Sequence, residues 1–309
     1  MKKAFKYSIS AAAILFGINK YIDSETASNT TKTSGKFFHW EHGDIFYKVA
    51  GTGKPILLVH DLNVFSSENE WNKLTMKLSE TNKIYTIDLP GCGRSAKPAL
   101  TYTNYLYVQL ITEFIKKVIK EKTIVVTSGL SASFVLKADS MDSSLIETIV
   151  MINPPSFSSL RKTPDKYSKV WIQLFHLPII GKSCYYQATS KTNTEYYLSE
   201  KCFFNPFDLQ ESVVKNCYAA AHQGSGNGKY LYACLKGNYL NINIQNTLKK
   251  AETKMILITG EEDLGAAEIS ASYQNLKPDL IVRTIKSTKK LPHMEAPGKV
   301  YNILKETCI

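Results

Sequence analysis

The chain has 309 residues, of which 44% are hydrophobic and 21% are charged, and its formal net charge is +11. This apolar content can supply a core and excludes a wholly disordered chain, while the length allows one large domain or a domain with an insertion. The basic residues are scattered rather than interleaved with aromatic residues, so we expect no nucleic-acid partner and only a weak attraction to anionic surfaces.

The N-terminus has the pattern of an export or anchoring segment. Three lysines among the first six residues precede an apolar run over residues 9–18. That run is short for a membrane span and fits the apolar region of a signal peptide. We predict a signal peptide or membrane anchor over residues 1–23, a polar linker over residues 24–35, and a bacterial cell-surface location, either secreted or anchored. The alternative is a helix that lies across the folded domain.

Residues 36–155 alternate predicted strands with predicted helices. The strands are apolar runs rich in β-branched residues, and the helices carry apolar residues three or four positions apart. This alternation predicts an α/β fold with a mostly parallel sheet flanked by helices. The predicted strands cover residues 44–50, 55–60, 83–88, 123–128 and 147–153, and the predicted helices cover 71–78, 101–119 and a segment from residue 134 onward.

The pattern changes over residues 156–250, where strand-like runs give way to aromatic and amphipathic segments. We predict that this part is a helical cap inserted into the sheet domain. The α/β pattern resumes over residues 251–309 and completes the core. The elements predicted there are strands at 254–259 and 280–285, a helix at 266–276 and a final helix that ends at Glu306.

The six cysteines stand far apart and form no C-x-x-C pair. We therefore expect no zinc site and no redox dithiol. Separately, we expect no cofactor. Four of the cysteines fall between residues 184 and 234, where a disulfide could form if the chain is exported. Buried free thiols are the state that we expect.

Several loops between the predicted elements resemble those of the α/β-hydrolase fold family, and the resemblance covers residues 36–155 and 251–309. It implies that fold, with a mostly parallel sheet flanked by helices and a helical cap insertion. Two matching segments lie in the first part: His-Asp-Leu-Asn at 60–63 stands in place of the family's His-Gly oxyanion loop, and residues 88–95 form its Asp-x-x-Gly-x-Gly-x-Ser turn. Two more lie in the second part. Gly-Glu-Glu-Asp at 260–263 matches the loop that carries the catalytic acid, and Leu-Pro-His-Met-Glu-Ala-Pro at 291–297 matches the segment just after the catalytic histidine.

The resemblance leaves two registers open for the nucleophile elbow. Counting back from Asn153 without gaps puts Gly129, which has no nucleophilic atom, at the nucleophile position. A shift of two residues gives Gly-Leu-Ser-Ala-Ser over 129–133, which resembles the Gly-x-Ser-x-Ser elbow of a bacterial subgroup of the family. We predict the second register, with Ser131 as nucleophile and an oxyanion hole formed by the N–H groups of Leu62 and Ala132. The alternative is that Ser131 only caps the helix that follows.

The acid and the base are the other two requirements of acyl transfer in this family. Asp263 occupies the position of the acid, although it could instead cap the next helix. Lys290 stands where the family has its catalytic histidine, and His293 matches the second, usually non-catalytic histidine. Three readings stay open: His293 acts as base, Lys290 acts in a Ser-Lys arrangement, or no base remains.

These features predict a monomeric serine hydrolase that cleaves an ester, amide or related carbonyl bond of a small molecule, with the N-terminus as a candidate membrane contact. Two alternatives belong to other functional classes. One is a catalytically impaired pseudoenzyme that binds a small apolar ligand, and the other is a surface protein that binds a partner through its cap.

Overall fold

The computed structural model describes residues 2–28 and 34–308 and is built on one sheet. Its strands are β1 (Lys36–Trp40), β2 (Gly43–Ala50), β3 (Lys54–Val59), β4 (Asn82–Ile87), β5 (Thr123–Ser128), β6 (Ile146–Ile152), β7 (Lys254–Gly260) and β8 (Ile281–Ile285). They lie in the order β1-β2-β4-β3-β5-β6-β7-β8. Only β2 runs antiparallel to its neighbours, so the predicted mostly parallel sheet is confirmed.

The composition of the strands explains how the sheet is buried. Every residue of β5 is buried, and β6 and β7 each have one residue that is not. Such strands need helices on both faces. Successive side chains alternate between two cores, with Leu57 and Val59 of β3 in one and Ile56 and Leu58 in the other.

The helices that cover the sheet come from both halves of the chain. They are α2 (Asn72–Leu78), α3 (Asn104–Phe114), α4 (Ser131–Met141), α12 (Ala266–Leu276), α13 (Pro292–Glu295) and α14 (Pro297–Thr307). Buried side chains of α2 and α14 share one core, and those of α3, α4 and α12 share the other. The flanking helices predicted from the sequence are confirmed.

The segment between β6 and β7 forms the helices that cover the sheet edge, which we call the cap. Its helices are α5 (Phe157–Leu160), α6 (Lys166–His176), α7 (Ile180–Ala188), α8 (Lys191–Tyr196), α9 (Glu211–His222), α10 (Gly228–Lys236) and α11 (Gln245–Lys250), with a π-helical turn over Tyr197–Cys202. Phe175, Tyr185 and Leu231 are buried in the same core as the sheet. A smaller apolar cluster joins Leu198 and Cys202 of the cap to Leu291 after β8.

The N-terminal segment forms one helix, α1 (Lys2–Ser28), which packs on α7. The Asp23 carboxylate pairs with the Lys182 ammonium at 2.6 Å, and the buried Asn19 side chain donates to the Ile179 carbonyl at 3.2 Å. The helix thus continues into the predicted linker, of which residues 29–33 lie outside the described part. Among the described residues, no helix has the length and apolarity to cross a membrane. Signal cleavage and anchoring stay predictions.

Candidate functional site

Four loops converge at the carboxyl ends of the parallel strands, the edge of an α/β sheet where ligands bind. The loop after β3 carries Asp61, the loop after β5 carries Gly129, the loop after β7 carries Asp263, and the loop after β8 carries Lys290. The convergence is direct for three of them, because Asp61 bonds both to the β5 loop and to Lys290. The sheet topology therefore places the predicted acid and base positions around one point.

The turn from β5 to α4 has Gly129 at its apex. Gly129 has a φ of +56°, in the left-handed region that glycine adopts without strain. A Cβ at this position would overlap the Asp61 carboxylate. No side chain can therefore start from the apex while Asp61 keeps its place, and the gap-free register fits this geometry.

The predicted nucleophile Ser131 is the first residue of α4. Its hydroxyl donates to the His60 carbonyl at 2.6 Å, and the residue is fully buried. The Ala132 N–H, one of the two predicted oxyanion donors, bonds the Gly129 carbonyl at 3.2 Å as part of the helix start. The other predicted donor belongs to Leu62, which is buried. Serine catalysis stays a prediction that requires the Ser131 hydroxyl to leave His60 and reach the cavity.

Asp61 fills the space that a nucleophile would occupy. Its carboxylate accepts the Leu130 N–H at 2.8 Å and pairs with the Lys290 ammonium at 3.1 Å. Its own N–H donates to Glu70 at 3.3 Å. The Leu130 N–H follows the apex directly and immediately precedes the first turn of α4, where N–H groups without helical partners and the helix dipole favour an anion. The Asp61 side chain thus occupies the position where a substrate oxyanion would bind.

Lys290 completes this arrangement from the loop after β8. Besides Asp61, its ammonium donates to the Tyr197 hydroxyl of the cap at 3.2 Å, and Tyr197 also accepts from the Asn63 amide at 3.0 Å. The Asp61 carboxylate, followed by Tyr197, raises the pKa of Lys290 well above its ordinary value. The amine keeps its proton at neutral pH, whereas a lysine that acts as a base needs a lowered pKa.

Asp263 lies at the same edge but outside this ion pair. Burial raises the pKa of its carboxyl group, and the nearby charge of Lys290 partly offsets that effect. Within residues 2–28 and 34–308, no ion pair joins Asp263 to Lys290 or His293. The acid is present at its predicted position but orients no basic nitrogen.

His293 is fully buried beside the sheet rather than in the cavity. Its ring stacks on Trp71 with centroids 4.3 Å apart. Its Nε2 lies 3.4 Å from a Glu70 carboxylate oxygen without hydrogen-bond geometry, and neither ring nitrogen has a hydrogen-bond partner. A base in this position would have to leave the stack with Trp71 before it could take a proton from a substrate.

A cavity opens above Asp61 and Lys290, between the strand ends and the cap. It encloses about 540 Å³ of space between atoms, part of it open to solvent. Most of the exposed area of its wall is apolar. The polar side chains that line it are Asp61, Ser66, Ser67, Asn69, Glu70, Tyr197, Asn216 and Lys290. The apolar and thiol side chains that line it are Phe65, Leu198, Cys202, Val213, Cys217, Leu291 and Met294.

Sequence reasoning missed three parts of this site. Asp61 appeared only as an acid in place of the family's glycine, and its contact with the β5 turn could not be read from the sequence. Tyr197 lies in the cap, where no motif pointed to it, and Glu70 lies in a short 3₁₀ turn over Glu68–Trp71. The sequence feature that could have indicated this site is the combination of an acid at position 61, a glycine at position 129 and a lysine at position 290.

Comparisons with known proteins agree with this architecture, although no family model matches the chain. Over 108 residues the chain is 26% identical to the 2-hydroxy-6-oxo-6-(2'-aminophenyl)hexa-2,4-dienoic acid hydrolase of Metapseudomonas resinovorans. The matching stretch is 34% of this chain and 37% of that relative, so the chain spans little more than a third of the relative's length.

Solved structures match over nearly the whole chain. A serine hydrolase involved in carbazole degradation, CarC, superposes with a TM-score of 0.72 at 15% identity, over 89% of this chain and 98% of that one. The epoxide hydrolase CorEH gives a TM-score of 0.73 at 16% identity, also over 89% and 98%. Both are α/β-hydrolases, so the predicted resemblance is confirmed. The chain has the α/β-hydrolase fold.

Proposed function

We propose that this protein binds a small, largely apolar molecule in the cavity beneath the cap, with a hydrogen-bond acceptor of that molecule on Lys290. The observation that carries the proposal is the Asp61 carboxylate, which fills the nucleophile space above Gly129 and accepts the Leu130 N–H. The family's acyl transfer needs that space and that donor for the reacting carbonyl. Because Asp61 occupies both the nucleophile space and the Leu130 N–H, the cavity is better suited to binding a ligand than to acyl transfer.

The chemistry of the cavity defines the class of ligand. An ammonium group has three donors, and two of those of Lys290 are used by Asp61 and Tyr197. The third can bind a carbonyl or hydroxyl oxygen. A ligand carboxylate would meet the carboxylates of Asp61 and Glu70, which both line the cavity. The fitting ligand is therefore neutral, with an apolar body against the apolar wall and one acceptor at the floor.

A second candidate is hydrolysis of an ester, amide or related carbonyl bond through Ser131. The functions of similar proteins support it, because CarC is a serine hydrolase and the relative from Metapseudomonas resinovorans is also a hydrolase. The reaction would need the Ser131 hydroxyl to turn from the His60 carbonyl toward the cavity. It would also need a proton acceptor, which would be His293 freed from its stack on Trp71, or Lys290 released from the Asp61 carboxylate that raises its pKa.

A fluorophosphonate probe separates the two candidates, because it labels an activated serine. We expect folded protein to remain unlabelled and to show no turnover of 4-nitrophenyl butyrate. Labelling that is lost in Ser131→Ala but kept in Ser133→Ala would establish the serine hydrolase instead. Ser133 is a matched control because it also lies in the first turn of α4, where its hydroxyl donates to the Leu130 carbonyl at 2.7 Å.

Ligand binding is tested by thermal stabilisation with a panel of neutral aryl and alkyl ketones. A ligand that binds the folded state raises the melting temperature in proportion to the logarithm of its concentration. We expect stabilisation by members of the panel, and its loss in Lys290→Met but not in Lys289→Met. Lys289 is the neighbouring lysine, and its ammonium bonds the Glu200 carbonyl instead of the ion pair. No stabilisation by any ketone, or equal loss in both variants, would overturn the proposal.

A further inference from the structure

Tyr197 of the cap lines the cavity beside Lys290, and contacts from the sheet domain hold it there. It is the first residue of the π-helical turn, a kind of turn that is frequent at functional sites. Its ring stacks on the ring of Phe65, with centroids 5.3 Å apart. Because Phe65 follows β3, the loop after that strand fixes the position of a side chain that belongs to the cap.

The amide of Asn63, in the same loop, defines the role of the Tyr197 hydroxyl. The Asn63 Oδ1 atom accepts the Phe65 N–H at 3.2 Å, so the amide nitrogen is the end that faces Tyr197. An amide nitrogen can only donate, and it does so to the Tyr197 oxygen at 3.0 Å. The Lys290 ammonium can also only donate, and its bond to the same oxygen is 3.2 Å long. The Tyr197 oxygen therefore accepts two hydrogen bonds.

The hydroxyl hydrogen of Tyr197 must then point to a third partner, because both neighbours described above are donors. A neighbour that this hydrogen can reach is the sulfur of Cys202, which lines the same cavity. Burial raises the pKa of the Cys202 thiol to about 11, so the group is neutral at physiological pH. A neutral thiol is a weak acceptor. A ligand oxygen that enters the cavity would be a stronger acceptor for this hydrogen than the thiol is.

We propose that Tyr197 is a second donor to the ligand, beside Lys290, and that the ligand group held between the two is a carbonyl. This inference rests on the proposed binding function. The Lys290 Nζ and Tyr197 Oη atoms are 3.2 Å apart, so one oxygen atom can lie within hydrogen-bond distance of both. A carbonyl oxygen offers two lone pairs and brings no hydrogen that would need an acceptor of its own. The ammonium that donates to Tyr197 also polarises the phenol and strengthens its donation.

Binding of benzylacetone, a neutral aryl ketone, tests the role of Tyr197 by calorimetric titration of the full-length protein. We expect Tyr197→Phe to weaken binding roughly three- to tenfold, which is the effect of one neutral hydrogen bond. Tyr196→Phe is the matched control, because Tyr196 is the preceding residue and is 60% exposed, and it should bind as the wild-type protein does. Butylbenzene has a methylene group in place of the carbonyl, and Tyr197→Phe should not weaken its binding.

NMR of benzylacetone with an isotopically labelled carbonyl carbon reports the hydrogen bonds of the bound ketone. Each bond that the carbonyl oxygen accepts moves the carbon resonance downfield. We expect the downfield shift to be smaller in Tyr197→Phe than in the wild-type protein, and unchanged in Tyr196→Phe. Because the shift is measured on bound ketone, a disturbance of the fold that only lowers the affinity would leave it unchanged.

The outcomes distinguish failure of this inference from failure of the proposed function. If no ketone binds, or if Lys290→Met leaves binding unaltered, both are overturned. If ketones bind and depend on Lys290, but Tyr197→Phe keeps the wild-type affinity and the wild-type resonance, the binding function stands and the assignment of Tyr197 is wrong. Equal weakening of benzylacetone and butylbenzene in Tyr197→Phe would also overturn the assignment, because it would show a loss of packing instead of a lost hydrogen bond.

Discussion

The ion pair between Asp61 and Lys290 can be tested by a double-mutant cycle. The paired atoms are 3.1 Å apart, and the side chains are 8% and 30% exposed. Breaking a buried pair by removing one partner leaves the other charge desolvated, at a typical cost of about 3–5 kcal/mol. Because Lys290 is partly exposed, we expect each of Asp61→Asn and Lys290→Met to lower the free energy of unfolding by roughly 2–4 kcal/mol.

The double variant should lose much less than the sum of the single losses, because it leaves no unpaired charge. We expect a coupling energy of about 1–3 kcal/mol, the range for residues in direct contact. Asparagine is chosen because it keeps the shape of Asp61 and an acceptor for the Leu130 N–H. The measurement is urea denaturation, with the cycle evaluated only if the slopes of the four proteins agree.

An exposed ion pair in the same chain serves as control. Lys54 and Glu147 are 2.7 Å apart, but their side chains are 43% and 40% exposed. Surface pairs of this kind contribute about 0–1 kcal/mol. A cycle on Lys54→Met and Glu147→Gln should therefore give a smaller coupling energy than the Asp61–Lys290 cycle. Equal coupling energies, or single losses near zero at the site, would refute the reasoning that Asp61 and Lys290 form a desolvated pair.

Three further predictions concern groups around the site and in the cap. Gly129→Ala should lower the free energy of unfolding by about 1–3 kcal/mol through strain and overlap with Asp61, and in urea titrations this loss should be smaller when it is measured in an Asp61→Gly background. Burial lowers the pKa of His222 in the folded protein, so the unfolded chain binds the proton at a higher pH than the folded protein does. The free energy of unfolding should therefore fall as the pH drops below about 6.5, and it should fall less steeply in His222→Gln. Equal dependence of stability on pH in the two proteins would contradict this prediction. His293→Phe keeps the stack on Trp71 and removes two unpaired nitrogens, so stability should stay equal or rise, and a clear loss would show that the ring nitrogens stabilise the fold.

The sequence was sufficient to predict the sheet and the edge where the site lies. Strands such as β5 and β7 are largely apolar runs buried on both faces, and their composition predicts that burial. Because parallel strands end at one edge, the loops carrying Asp61, Asp263 and Lys290 could be placed together before any coordinates were known. The sheet follows from local patterns and topology, whereas the choice of these loops came from the resemblance to the α/β-hydrolase family.

The register of the elbow could not be decided in this way. Gly129 and Ser131 are both small, so each suits a tight turn before a helix. The choice depends on Asp61, which lies 69 residues earlier and reaches the turn only in the folded chain. The sequence showed that an acid replaced a glycine, but not that its carboxylate would bond the Leu130 N–H.

The N-terminal helix illustrates a different limit. Its lysines and apolar run match the pattern of a signal peptide, and hydropathy alone does not distinguish that pattern from a helix that packs on the domain. The distinguishing residues are Asn19 and Asp23, whose polar groups meet partners on α7. Their significance depends on Lys182, which lies in the cap and could not be paired with them in advance.

The three unusual positions of the site are mutually dependent, and this dependence explains why they occur together. A carboxylate at position 61 can accept the Leu130 N–H only if position 129 has no Cβ, because any side chain there would occupy the same space. A carboxylate that is only 8% exposed also needs a cation, which Lys290 supplies where the family has a histidine. A serine restored at 129 would therefore meet Asp61, and a histidine restored at 290 would leave Asp61 without its permanent charge partner. The acid at 61, the glycine at 129 and the lysine at 290 therefore depend on one another, and replacing any one of them with the family's residue would disturb the other two.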